Sequence, residues 1–209
     1  DDLSQSSNLR YRQTRRGRFL HNWDVGFEQF AGWNFGGTNT YNGLELFTNQ
    51  THRNFLRSWV EVGINLPAIS DDLTRGGPLM RTYGSQRVGT GISSRGGART
   101  SWSLSAVVSE GGDGSNSLDV SGTLVVRPGP RLEVTVNPSY SDGVNARQYV
   151  TTRSGGSAAT FGSRYIFAQV DQREISMRFR ANYALTPNLT LETYAEPFAA
   201  SGRYSAFGE

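Results

Sequence analysis

The chain has 209 residues, a net charge of +3 and a mean hydropathy of -0.49. No run approaches the ~18 apolar residues that a spanning helix needs, and without a basic cluster interleaved with stacking aromatics the small charge excludes nucleic acid as a partner. With no cysteine, disulfides, thiolate metal sites and a cysteine nucleophile are excluded, and all 21 basic residues are Arg, which suits bidentate carboxylate or phosphate contacts.

Residues 1–16 are polar and without periodicity, a lead-in that reads as a strand or a loose segment. From Phe19 a period of two begins, with Phe19, His21, Trp23, Val25 and Phe27 set against Asn22, Asp24, Gly26 and Glu28. A glycine loop at 36–39 precedes a short strand with Leu44 and Leu46 on one side and Glu45 on the other. Val60, Val62 and Ile64 then oppose Trp59, Glu61 and Gly63, and a long loop follows from Pro67 to Tyr83. Val88, Thr90 and Ile92 mark a weak strand; Trp102, Leu104, Ala106 and Val108 oppose serines; Leu118, Val120, Leu124 and Val126 oppose Asp119, Ser121, Thr123 and Arg127.

The last third is the clearest. Ile175, Met177, Phe179, Ala181 and Tyr183 alternate with Glu174, Ser176, Arg178, Arg180 and Asn182. After the Thr186-Pro187-Asn188 turn, Leu189, Leu191, Thr193 and Ala195 alternate with Thr190, Glu192, Tyr194 and Glu196. An oily face backed by a wet, charged one is the pattern of a membrane β-barrel with a polar interior.

The expected fold is therefore all-β, an antiparallel transmembrane β-barrel or a large part of one, with short periplasmic turns and longer extracellular loops. Residues 17–209 form the barrel domain, with its closing strands expected to be missing. Placing Pro128-Gly129-Pro130 and Thr186-Pro187-Asn188 on the same side requires two long strands, about 131–153 and 160–183. The second needs a bulge near Asp171-Gln172, because Ile166, Ala168 and Val170 are out of phase with Ile175 and Met177. About nine strands result.

Three segments, DDLTRGGPLM (71–80), PSYSDGVNARQYVTT (138–152) and the stretch 165–204, resemble large Gram-negative envelope proteins. Those pair an N-terminal carbohydrate-binding module, similar to family 9, with a C-terminal β-barrel domain of unknown function. The resemblance covers roughly 55–209 and implies an outer-membrane barrel in the style of TonB-dependent receptors. It implies no catalytic residues.

Arg178, Arg180, Glu192 and Glu196 form the candidate cluster on the polar face, as a self-satisfied charge ladder or as a lining that selects polar solutes. Trp23, Trp33, Trp59, Trp102, Tyr140 and Tyr183 are candidate interfacial aromatics. No G-x-S-x-G occurs, and His21 and His52 alone support neither a triad nor a metal centre. Asp24 and Glu28 share a face but stand ~13 Å apart along a strand, beyond the ~5–9.5 Å of glycosidase carboxylates. No catalytic, cofactor or metal residue is assigned. The expected partners are the lipid bilayer of the bacterial outer membrane, carbohydrate, and other envelope or membrane-complex subunits. The expected role is transport, or presentation of a carbohydrate-handling module. Three alternatives are a soluble glycan-binding β-sandwich, a structural subunit of a larger membrane assembly, and an envelope glycoside hydrolase that relies on cross-strand carboxylates.

Overall fold

A computed structural model describes residues 2–209. Most of them enter one antiparallel sheet. Its strands are β1 (Asp2–Gln13), β2 (Leu20–Asn34), β3 (Asn39–His52) and β4 (Arg57–Asn65), and then, after two short strands, β5 (Ile69–Ser70) and β6 (Met80–Arg81), that pair only with each other, β7 (Ser85–Ser93). The sheet continues through β8 (Thr100–Gly111), β9 (Asn116–Gly129), β10 (Leu132–Ser154) and β11 (Ser163–Thr186). Both β12 (Leu189–Ala195) and β13 (Phe198–Gly208) pair with β11, so they are two halves of one strand broken at Glu196-Pro197. Each long strand hydrogen-bonds to its neighbour in sequence, which makes the sheet a meander of ten positions.

The lead-in belongs to this sheet: β1 pairs with β2 along its whole length, which raises the count from nine positions to ten. Among the described residues the outer edges of β1 and of β12–β13 pair with nothing, so the sheet is open and no closed barrel is formed. No second large sheet faces it among the described residues. Among the described residues no helix is long and apolar enough to cross a membrane.

The connections sort by end. Residues 14–19, 53–56, 94–99, 130–131 and 187–188 turn the chain at one end, here the turn end. At the other, the loop end, lie 35–38, 112–115 and the two longest connections, 66–84 and 155–162. The two proline turns fall together at the turn end, as their spacing predicts. The N-terminal end of β1 and the C-terminal end of β13 both lie at the loop end.

The expected bulge near Asp171-Gln172 is absent. β11 pairs without a break from Tyr183 down to Val170, and the extra residues sit on β10, between Asn145 and Gln148 and between Tyr149 and Thr151. Ala168 and Val170 thus stay in phase with Gln172 and Glu174, and both are only 1% exposed. The 66–84 segment folds onto this end of the sheet. Arg75 lies over the Tyr149 ring at 4.9 Å, Arg147 over the Tyr83 ring at 4.3 Å, and Gly77 backs onto Tyr165. The same segment reaches β2, where the Asn34 amide donates to Asp71 at 2.7 Å.

The register divides the side chains into two faces. One carries Leu9, Tyr11, Val25, Phe27, Leu44, Leu46, Val60, Val62, Val88, Leu104, Val108, Leu124, Val136, Ile175 and Met177. Most of these are exposed, Leu104 by 52% and Ile175 by 58%. The buried apolar residues are few: Ala31, Ala68, Phe167, Ala168 and Val170. A chain of this length normally buries far more apolar surface than that. The sheet is held by its backbone ladder, and its apolar face stands uncovered.

Candidate functional site: the polar face

The other face carries the polar chemistry. At its centre the guanidinium of Arg87 lies 2.9 Å from Glu45 and 3.3 Å from Glu61. Gly63 stands between Glu45 and Arg87 in the register, and its missing side chain leaves the lane through which they meet. Glu28 sits directly opposite Glu45, the one cross-strand pair of glutamates. Glu45 is already neutralised by Arg87, an arrangement that suits an ion-pair ladder better than an acid and base of hydrolysis. Nearby, Asp24, nearly buried, accepts hydrogen bonds from Arg10 Nε at 2.9 Å and Asn49 Nδ2 at 3.0 Å.

From β8 to β11 this face is lined by hydroxyls. Ser105 and Ser121 share a hydrogen bond of 2.9 Å, Ser109 and Ser117 one of 2.8 Å, and Ser139 and Ser176 one of 2.6 Å. The Ser141 hydroxyl donates to Asp119 at 2.7 Å, and Asn137 donates to Thr123 at 2.8 Å. Such a surface satisfies itself and still leaves lone pairs for water or solute.

At the loop end the hydroxyl wall opens into a cavity of about 440 Å³ lined by Tyr83, Ser109, Asp113, Ser117, Ser141 and Gln172. Asp113, in the 112–115 turn, lies 3.5 Å from Arg147. Burial pushes its carboxyl upward, but the Ser115 backbone N–H and hydroxyl together with Arg147 outweigh that and hold it below the ordinary value of 3.8.

The charge ladder expected on the last hairpin forms in part. Arg178 pairs with Glu196 at 3.0 Å, and the Tyr194 hydroxyl also donates to Glu196. Arg180 stands opposite Tyr194 and lies over its ring at 5.7 Å, while Glu192 stands opposite Asn182. The register of β12 therefore separates Arg180 from Glu192. Of the candidate aromatics, Trp23, Trp33, Trp102, Tyr140 and Tyr183 share the apolar face. Trp59 does not: it lies on the polar face, packed against Gly89 and Gly91 of β7.

Trp59 has company that residue type alone conceals. Phe47 lies across Gly26, Tyr41 across Gly32 and Phe30 across Gly43, each so close that a Cβ at the glycine would overlap the ring. These glycines, like Gly63, fall in phase with the polar residues of their strands, and that phase is the signal that could have found the rings. His21 stacks on Phe55 at 4.7 Å and His52 bonds Ser58 at 2.7 Å, so the two histidines serve separate contacts. Among the described residues no cluster of metal-ligating side chains forms.

Set against family models, curated proteins and solved structures, the chain matched none of them.

Proposed function

We propose that this chain is a bacterial outer-membrane β-barrel protein, or a large part of one, whose polar face lines a path for polar solutes. Transport is its role, or the presentation of a carbohydrate-handling module. The observation that carries this reading is the apolar band and its limits. On β10 and β11 the band runs from Leu132 and Tyr183 to Tyr140 and Ile175, and it ends where Asp142 pairs with Arg173 at 2.8 Å. On β7 and β8 it ends at Gln86, which donates to Glu110 at 3.1 Å.

From Leu132 to Tyr140 is about 27 Å along the strand and about 21 Å after a tilt of ~40°, close to the ~25 Å apolar band of outer-membrane barrels. Tyr183 and Tyr140 stand at its two borders, where amphipathic rings favour the headgroup level. A soluble sheet would instead turn this face toward a core. The resemblance of residues 165–204 points the same way.

The test is fractionation of an expressing Gram-negative host. Retention in outer-membrane vesicles through a urea wash, with release only by detergent, is the expected result. A chain recovered in the soluble fraction without detergent would overturn the reading.

The unpaired edges favour a second reading, a subunit of a larger membrane assembly. Lipid cannot satisfy the free N–H and C=O groups of β1 and β12–β13. Because the chain has no cysteine of its own, Leu9→Cys and Leu191→Cys together report edge-to-edge contact between copies as a disulfide-linked dimer.

A further inference from the structure

We propose that Tyr41, Phe30, Phe47 and Trp59 form an aromatic track on the polar face that binds chains of sugar rings by stacking. The inference rests on the reading of this face as a solute path and names the solute class. All four rings lie on one wall, β2 to β4. In the register Tyr41 shares a rung with Gly32, Phe30 with Gly43, Phe47 with Gly26, and Trp59 with Asn49 and Asp24. These rungs descend from the loop end toward the turn end over eight residues of β2, or about 27 Å.

Each ring rests on glycine backbone. Each ring is thereby fixed against the wall, and Phe30 and Tyr41 stand 6.4 Å apart, tilted 40° to each other. All four nonetheless keep part of their surface exposed, Tyr41 by 42%.

The gap between the upper pair and the lower pair is filled by hydrogen-bonding groups. Glu28, Glu45 and Arg87 lie there, with Glu61 on the Phe47 rung, the Arg10 guanidinium over the Phe47 ring at 5.7 Å, and Asp24 and Asn49 on the Trp59 rung. A sugar ring has an apolar C–H face and a rim of hydroxyls. Flat aromatic surfaces flanked by carboxylates, guanidinium and amide match both. A peptide or an aliphatic solute matches only one.

The experiment uses the whole protein in detergent, with glucose, cellobiose and longer cello-oligosaccharides as probes and affinity read by calorimetry. The expected result is affinity that rises with chain length. Trp59→Ala lowers it about tenfold, and Trp59→Phe lowers it about threefold or less, while Trp102→Phe on the opposite face leaves it unchanged. Phe47→Leu gives an independent reading if Trp59→Ala does not fold.

Affinity independent of sugar length, or equal for a Gly-Ser peptide, would overturn the track. So would an intact affinity in both Trp59→Ala and Phe47→Leu. The two proposals fail separately. Length-dependent binding by a protein absent from the outer membrane removes the barrel reading alone, and an outer-membrane protein blind to oligosaccharides removes the track alone.

Discussion

The guanidinium of Arg10 reaches across the β1–β2 seam to within 2.7 Å of the Asp24 carboxylate, a nearly buried acid on the face that holds the polar groups. Arg10 itself is 42% exposed, so much of the Coulomb attraction is screened and the value lies in the acid's lost partner. Arg10→Ala is expected to destabilise the folded protein by about 1–2 kcal/mol, because Asp24 keeps only Asn49. Arg12→Ala, next in the same phase, is expected to cost less than about 0.5 kcal/mol. Urea unfolding in detergent, followed by tryptophan fluorescence, compares the two.

The ring-on-glycine contacts give a prediction of opposite form, in which adding atoms harms and removing others rescues. Gly26→Val places a side chain where Phe47 lies, and overpacking of this kind costs about 1–3 kcal/mol. In a Phe47→Ala background the same change is expected to cost much less. A double-mutant cycle with coupling near zero would show that ring and glycine do not touch.

Arg178 and Glu196 are 54% and 38% exposed, and their 3.0 Å ion pair is expected to contribute under about 1 kcal/mol. Arg178→Gln should thus shift the urea midpoint little. If it passes polar solutes, the variant should differ in solute or ion selectivity rather than in stability, as measured by flux into proteoliposomes.

Charge on the apolar face should behave quite differently. Leu104 sits mid-band on β8 and is 52% exposed, so Leu104→Arg would put a cation at the depth where lipid-facing Arg costs about 2–4 kcal/mol. Ser105→Arg, one residue on and facing the hydroxyl wall, is expected to be tolerated. The fraction of each variant recovered in the membrane is the measurement. Equal recovery would argue against lipid on this face.

Asp113 predicts an acid-sensitive turn. Its carboxyl is held below 3.8, so its contribution is fully present above that value and is lost as pH falls through the lower value of the folded state. Protection of the 112–115 amides from hydrogen exchange, corrected for the intrinsic rate, should therefore fall toward acid pH, and Asp113→Asn should flatten that fall. At neutral pH the wild-type turn should resist proteolysis better than the variant.

Much of the strand order was legible because each strand alternates cleanly. The Ser/Leu phase of β8 and the Ile175-to-Tyr183 phase of β11 needed no structure, and the two proline turns fixed which ends they share. What failed was whatever depended on a partner strand. Arg180 and Glu192 share a face, but the β11–β12 register seats Tyr194, not Glu192, opposite the arginine. Ala168 and Val170, being apolar, were expected to face outward through a bulge, whereas β11 runs without a shift and holds both buried in phase with Gln172. Trp59 was grouped by residue type with five rings of the apolar face, although its own alternation with Val60 and Val62 placed it on the other side. Phe30, Tyr41 and Phe47 went unnoticed because a ring's glycine partner lies on another strand.

The meander has a consequence for how the sheet could be completed. With ten positions, β1 runs toward the turn end and β12–β13 runs away from it, so the two outer strands already point in opposite directions. Brought side by side they would join with the same antiparallel geometry as every internal pair. Any outside contribution to a seamless ring must therefore arrive as an even number of strands, zero included; an odd number would leave one parallel joint somewhere around the circumference.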